Sequence, residues 1–258
     1  MGARTTLYKI YGGMRKVIAP SLKYSQYLYE EVLSQYVKPD VSWLDIGCGH
    51  QILPVWRQRE EKRLVANCRM IVGVDYDLPS LKKHQNIKMK ARADISLLPF
   101  QNDSFDLITA NMLVEHLSEP ESQFREISRV LRPRGVFIFH TPNAAGYFIA
   151  LARRVPESWK GRLIHLLDGR KQQDIFLTHY KANSHDVIRD LAADCGFEVI
   201  KIKMIATDAL FAMVPPVALV ELIWIRLLLT ERLKQFRTGI ITVLQKLPEA
   251  DCSVDNFS

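Results

Sequence analysis

The chain has 258 residues, a 48% hydrophobic share and a formal net charge of +7. That size holds one α/β domain with modest additions, and the composition excludes a disordered or collagen-like chain. The four cysteines (Cys48, Cys68, Cys195, Cys252) lack CxxC spacing, so neither a metal site nor a disulfide framework is indicated. The positive charge comes without an RNP, zinc-finger or Lys/Arg-block signature, so nucleic acid is not the expected partner. Ordinary solubility accounts for the charge; a functional reading favours an anionic partner such as a phospholipid surface or a phosphorylated substrate. The first residues lack the apolar core of a signal peptide, which makes the cytoplasm the expected compartment.

Residues 20–37 read as an amphipathic helix: Leu22, Tyr29, Val32, Leu33 and Tyr36 fall near helical spacing, and Pro20 suits a helix start. An apolar strand follows at 41–46. It carries one acid, Asp45, and stops at Gly47-Cys48-Gly49, as a central strand does when its exit loop must lie against a ligand. Pro54 opens a helix whose charged middle, Arg57 to Arg63, reads as a solvated face. A second apolar strand, 69–74, runs into Asp75; Asp77 is the expected cap of the next short helix, with Pro79 in its first turn. A third strand near 87–93 ends at Asp94, and a fourth spans 105–111, ending at Asn111. A helix from Glu119-Pro120 to Leu131 is broken by Arg132-Pro-Arg-Gly135 before a fifth strand at 136–141. Ser184 is the expected cap of a helix over 184–194, which Gly196 ends. Strands at 198–205 and 239–246 complete the set. Strands alternating with helices predict a doubly wound, mostly parallel seven-stranded sheet, on which ligands sit beyond the carboxyl ends of the strands. Asp45 to Gly49, Asp75, Asp94 and Asn111 all fall at such ends.

These residues resemble the class I S-adenosylmethionine-dependent methyltransferases, in their small-molecule, methyltransferase type 11-like branch. Trp43-Leu-Asp-Ile-Gly-Cys-Gly49 resembles the first motif and Val72-Gly-Val-Asp75 the second. Ala93-Asp94 and the run from Leu97 to Asn111 resemble the third and fourth. Glu115-His-Leu117, Glu126 to Gly135 and His140-Thr-Pro-Asn143 resemble later segments. The resemblance covers about residues 35–145 well and 178–205 loosely. It implies a Rossmann-like methyltransferase fold with S-adenosylmethionine as cofactor. It places Gly47, Cys48 and Gly49 by the methionine and ribose part, and Asp45 by the ammonium. Asp75 would take both ribose hydroxyls, with Tyr76 beside it. Asp94 would take the adenine amino group, with the Ile95 amide next to it, and Asn111 would line the methionine side. Each acid also has a plain structural reading, as a buried turn anchor, a helix cap or a solvated strand end. Arg134 stands where a second glycine is usual.

Methyl transfer is an in-line displacement that needs a base only if the acceptor must lose a proton. His116 is the first candidate and His179 the second; a structural histidine is an open alternative for each, as it is for His140. No metal constellation is present. The Asn-Pro-Pro-Tyr run expected for amide-type acceptors reads Asn111-Met-Leu-Val, which lowers a DNA-methylating role.

The expected layout is a single domain: an N-terminal helical lid (1–38) that includes Tyr24 and Tyr27, a cofactor-binding core (39–145), a substrate-side segment with strand six (146–205), an apolar helical insertion (206–238), and a last strand with tail (239–258). Phe211 to Leu229 is very apolar, yet too short to span a bilayer. It fits a lid, a helix lying in a membrane interface as a peripheral contact through 211–237, or a dimer surface. The expected activity is methyl transfer to a small-molecule, glycan or lipid-linked acceptor. Two other classes compete. A nicotinamide-dependent dehydrogenase would want a third glycine where Ile52 stands. A scaffold that keeps the fold without catalysis, such as a membrane-associated assembly subunit, is opposed by the intact acids. The acceptor atom and the oligomeric state stay open.

Overall fold

The computed structural model describes residues 3–147, 149 and 178–248. Seven strands form one sheet in the order β3-β2-β1-β4-β5-β7-β6: β1 (Ser42–Ile46), β2 (Met70–Asp75), β3 (Met89–Arg92), β4 (Phe105–Asn111), β5 (Leu131–Pro142), β6 (Phe197–Ile205) and β7 (Gly239–Lys246). β1 to β5 run parallel, and β7 enters antiparallel between β5 and β6. Central strands buried on both faces need apolar residues at odd and even positions alike. β1 meets that demand: Trp43 joins the core under α2 (Ser25–Tyr36) and α3 (Gln58–Ala66), with Tyr29, Leu33, Ile71 and Leu107. Leu44 and Ile46 join the opposite core with Ile108, Phe137 and Phe139, beneath α5 (Pro120–Val130) and α6 (His185–Asp194). There Phe124 meets Phe137 and Phe139 edge-on, with ring centroids 5.6 and 5.9 Å apart.

Several details depart from the sequence reading. The N-terminal region forms two helices, α1 (Ala3–Ile18) and α2, and Pro20 lies in the turn between them rather than at a helix start. The charged middle of α3 is not simply a solvated face, because Glu61 is fully buried within it. Ser184 holds the cap position of α6 without a side-chain hydrogen bond, whereas Asp77 does cap α4 (Leu78–Lys83), accepting from the Ser80 amide at 3.1 Å. Arg132 to Gly135 is not a break before β5 but an irregularity inside it. Phe105 pairs with Leu131 and Leu107 with Val136, so extra residues bulge from β5, and Arg134 adopts φ +65° to turn them. Gly196 follows α6 at φ +77°, as a C-terminal stop requires.

The insertion after β6 folds as α7 (Pro215–Leu228) and a short 3-10 stretch at Glu231–Phe236. α7 packs on α1, forming a third core of Tyr11, Leu22, Ala206, Ala209, Ala218, Leu222 and Ile225. No helix among the described residues is long and apolar enough to cross a membrane.

Candidate functional site

The strand order reverses between β1 and β4, and the chain leaves both strands at the same carboxyl edge, the usual ligand crevice of such sheets. Four neighbouring strand ends supply the expected residues in spatial sequence: Asp94 after β3, Asp75 on β2, Gly47 to Gly49 after β1, and Asn111 on β4. Strands lie about 4.8 Å apart, so this row spans about 14 Å, the scale of an extended nucleoside with a tail.

The glycine loop is built for close approach. Gly47 and Gly49 have φ of +66° and +51°, in the region that strains other residues. A Cβ on Gly49 would meet nothing within 4 Å, so the backbone there borders open space; one on Gly47 would strike Leu113 at 2.8 Å. Cys48 contributes backbone only. Its amide bonds the Val74 carbonyl at 3.1 Å, and its side chain is buried against Gly73, where a Cβ would lie 2.8 Å from the sulfur. Burial pushes the Cys48 thiol well above its ordinary range, with Asp45 and Asp75 adding to the shift, so it offers no thiolate. Asp75 locks the crevice together: one carboxylate oxygen accepts the Gly49 amide at 2.8 Å and the other the Asp77 amide at 2.7 Å. A carboxylate has about four lone-pair sites. Two are taken by these amides, which leaves acceptor capacity for a diol. The half-buried carboxylate and the open glycine loop therefore fit a ribosyl ligand. Tyr76 is exposed beside it with the Arg92 guanidinium 5.1 Å from its ring, and exposed Asp94 accepts the Ser96 amide at 2.8 Å, with Ile95 half-buried between them.

Asp45 is buried and accepts a hydrogen bond from the Thr109 hydroxyl, which in turn accepts from Trp43 Nε1 at 2.7 Å. Loss of hydration pushes its carboxyl up to about 8; the Thr109 bond pulls the other way, and the charges of Glu61 and Asp75 push further up. Asn111 is a crosslink. Its amide nitrogen donates to Gln26 Oε1 on α2 and to the Ile52 carbonyl, both at 3.0 Å, and its oxygen faces His140 Nδ1 at 3.0 Å. With that oxygen as acceptor, His140 carries its proton on Nδ1. Burial lowers its pKa to about 4, so His140 is a neutral, structural histidine.

The two candidate bases lie on backbone segments that are hydrogen-bonded to one another. His116 ends the 3-10 turn Val114–His116 that follows β4, and the Glu115 carbonyl of that turn accepts the amides of His179 and Tyr180 at 2.8 and 3.1 Å. Tyr180 takes φ +52° to make that contact.

Sequence reasoning missed three buried glutamates that brace this edge. Glu61 accepts the Ile52 and Leu53 amides at 3.0 and 2.9 Å and the Asn86 side chain at 2.6 Å, fixing the loop beyond the glycines. Glu115 accepts the Thr141 hydroxyl at 2.9 Å. Glu221 accepts the Leu210 and Phe211 amides at 2.8 and 2.9 Å and the Tyr147 hydroxyl at 2.7 Å. Phase was the available signal: Glu61 and Leu64 share one buried helix face, as do Glu221, Leu222 and Ile225.

Beside the row, a groove of about 390 Å³ is lined by Arg15, Leu22, Lys23, Tyr24, Tyr27, Glu30 and Glu31. Tyr24 meets Trp56 at a tilt and Tyr27 meets it edge-on, with ring centroids 6.0 and 5.1 Å apart, and Arg57, paired to Glu30, lies 5.0 Å from the Tyr27 ring. Among the described residues no group of three His, Cys, Asp or Glu is placed to hold a metal ion.

Residues 44–139 match the family model of a methyltransferase domain. A malonyl-[acyl-carrier protein] O-methyltransferase of Hahella chejuensis is 29% identical over 201 residues, covering 75% of this chain and 61% of that protein. A ubiquinone/menaquinone biosynthesis C-methyltransferase of Campylobacter jejuni is 27% identical over 131 residues, 48% of this chain and 55% of that protein. The chain thus spans about three fifths of the length of these curated relatives. Among solved structures, an S-adenosylmethionine-dependent methyltransferase of Methanosarcina mazei superposes with a TM-score of 0.56 at 17% identity, covering 84% of this chain and 98% of that one. Over residues 44–139 the chain is thus similar to the methyltransferase domains of S-adenosylmethionine-dependent enzymes, whose cofactor is S-adenosylmethionine.

Proposed function

We propose that the chain transfers the methyl group of S-adenosylmethionine to a small-molecule, glycan or lipid-linked acceptor. The observation that carries this reading is the Asp75 carboxylate, tied to the Gly49 and Asp77 amides with acceptor capacity to spare, beside a glycine loop that borders open space. In this reading Asp75 accepts the ribose hydroxyls, and Tyr76 lies alongside. Asp94 and the Ile95 amide hold the adenine edge, and the Gly47-Cys48-Gly49 backbone follows the tail. Asp45 answers the ammonium, and Asn111 fixes the wall on the methionine side. The bound cofactor supplies an electrophilic methyl carbon with a neutral thioether as leaving group. The protein's contribution is to hold the acceptor in line and to keep water out. Where the acceptor is a hydroxyl, His116 or His179 takes its proton, since the 3-10 turn brings both to the same end of β4. His140 is excluded from that role by its burial and its bond to Asn111.

Charge-assisted hydrogen bonds contribute about 1.5–3 kcal/mol each, and a micromolar ligand is bound by about 8 kcal/mol. Calorimetry with S-adenosylhomocysteine should therefore show Asp75→Ala weakening binding more than about tenfold. Asp75→Asn, which keeps one acceptor for the Gly49 amide, separates ligand loss from loop collapse. Unchanged affinity in both variants rejects the assignment. Incubation with isotope-labelled donor and fractionated extract then identifies the acceptor. Tight cofactor binding with no labelled product from any fraction favours a scaffold without catalysis.

A further inference from the structure

Helix α7 is apolar on both sides. One side, with Ala218, Leu222, Ile225 and Leu228, is buried in the third core against α1. The other presents Val217, Leu219, Val220, Ile223, Trp224 and Leu227 to solvent, with Val220 67% and Ile223 50% exposed. A surface helix ordinarily places polar residues on its outer side. The exposed charges of α1 and α7 have one sign. α1 supplies exposed Arg4, Lys9 and Lys16 and contains no acid; it also exposes Tyr8 and Val17. The only acid of α7, Glu221, is buried and spent on the Leu210 and Phe211 amides, and exposed Arg226 completes the helix. Arg232 follows on the next turn, where Glu231 is engaged by Lys234 and Arg237.

We infer that the outer side of α7, flanked by α1, docks on an anionic phospholipid surface. An apolar face with aromatic content and basic neighbours is what an interfacial helix needs: the apolar side chains enter the acyl boundary and the cations meet headgroup phosphates. Fourteen residues of helix measure about 21 Å, against about 30 Å of hydrocarbon, so α7 lies in the interface rather than across it. A two-fold pairing of this face with a second copy is disfavoured by the same charges, because it sets cations against cations without an exposed acid on α1 or α7 to answer them. The location gives the surface a use. β5 and β6 are each antiparallel to β7, and Gly239 pairs with both Pro142 and Ile205. The insertion thus leaves and rejoins the sheet at the carboxyl edge, the same edge that carries Asp75 and the glycine loop. On the reading of the site given above, on which this step alone rests, the acceptor is drawn from the membrane and is a lipid-linked molecule.

The test is flotation of the full chain, without donor, on vesicles of equal parts phosphatidylcholine and phosphatidylglycerol, beside pure phosphatidylcholine vesicles. The expected result is flotation with the anionic vesicles alone, abolished in salt of about 1 M, where the screening length falls to about 3 Å. Val220→Glu with Ile223→Glu should reduce the floated fraction at least about tenfold, since both side chains are solvent-facing and their change leaves the core intact. No flotation, equal flotation on neutral vesicles, or a dimer that the double variant dissolves would overturn the proposal. Cofactor affinity of the double variant, measured in the same preparation, should equal the parent's; lost flotation with intact cofactor binding bears on this surface, and absent cofactor binding bears on the site.

Discussion

The two halves of the carboxyl edge are held by different means. Along β3, β2, β1 and β4 the row is made by strand ends that are immediate neighbours, tied by backbone amides to Asp75 and by two glycines at positive φ. Beyond β5 the structure depends on partners far apart in the chain. The Tyr11 hydroxyl donates to Asp208 at 2.6 Å and accepts the Ala209 amide at 3.1 Å, and Arg226 donates to the Ile18 carbonyl. The first half is assembled from nearly fixed backbone; the second closes only when the N-terminal helix finds the insertion. Each half nonetheless uses the same device, a buried glutamate whose oxygens collect the amides of a loop.

That shared device gives the largest expected effect. Glu61→Ala and Glu221→Ala each strand two backbone amides and one side-chain donor in a buried setting, so each should cost about 3 kcal/mol or more in chemical denaturation. The consequences should then separate. Glu61 fixes the loop beyond the glycines, so its loss should also weaken cofactor binding, whereas Glu221→Ala should loosen α7 and α1 and leave cofactor affinity unchanged. Equal loss of affinity in both variants would mean that the two halves are one cooperative unit.

Asp45 sharpens the comparison through pH. Its carboxyl is raised to about 8 in the folded chain from an ordinary 3.8. The native state therefore holds a proton that the unfolded state has released, and this contribution is full below about pH 4 and is lost as pH rises through about 8. Asp45→Asn, which keeps an acceptor for Thr109, titrates in neither state. Its stability relative to the parent should rise by on the order of 3 kcal/mol between about pH 5 and about pH 8. Parallel pH profiles for parent and variant would show that Asp45 is hydrated in solution.

The same division explains what could be read from residues alone. Gly47, Gly49, Asp75, the Asp77 cap and Gly196 act through local backbone geometry, which residue type and spacing encode, and the sheet with its site row followed from them. α1 was not legible because Gly12-Gly13 interrupts it and its packing surface is supplied by residues some two hundred positions away. The apolar segment after β6 was visible, but its two sides were not distinguishable, since both are apolar and only the position of α1 decides which is buried. Glu61 looked like part of a charged helix face because charge alone does not reveal phase. Residues 150–177 of the substrate-side segment expected over 146–205, and the tail after 248, lie outside the described residues.

The smallest predicted effect tests whether local geometry alone controls a position. Arg134 stands at φ +65° in the β5 bulge, and its exposed side chain is not what holds it there: the Arg134 carbonyl accepts Gln245 Nε2 at 3.0 Å, a bond any residue can make. The left-handed conformation costs a non-glycine residue about 1–2 kcal/mol, and glycine's greater freedom when unfolded returns about 0.5–1 kcal/mol of that. Arg134→Gly should therefore stabilise the fold by about 0.5 kcal/mol, raising the melting temperature by about 1–2 °C. Arg134→Ala, which keeps the strained backbone, should leave it unchanged. A loss of stability in the glycine variant would mean that the arginine side chain, and not the backbone, sets the bulge.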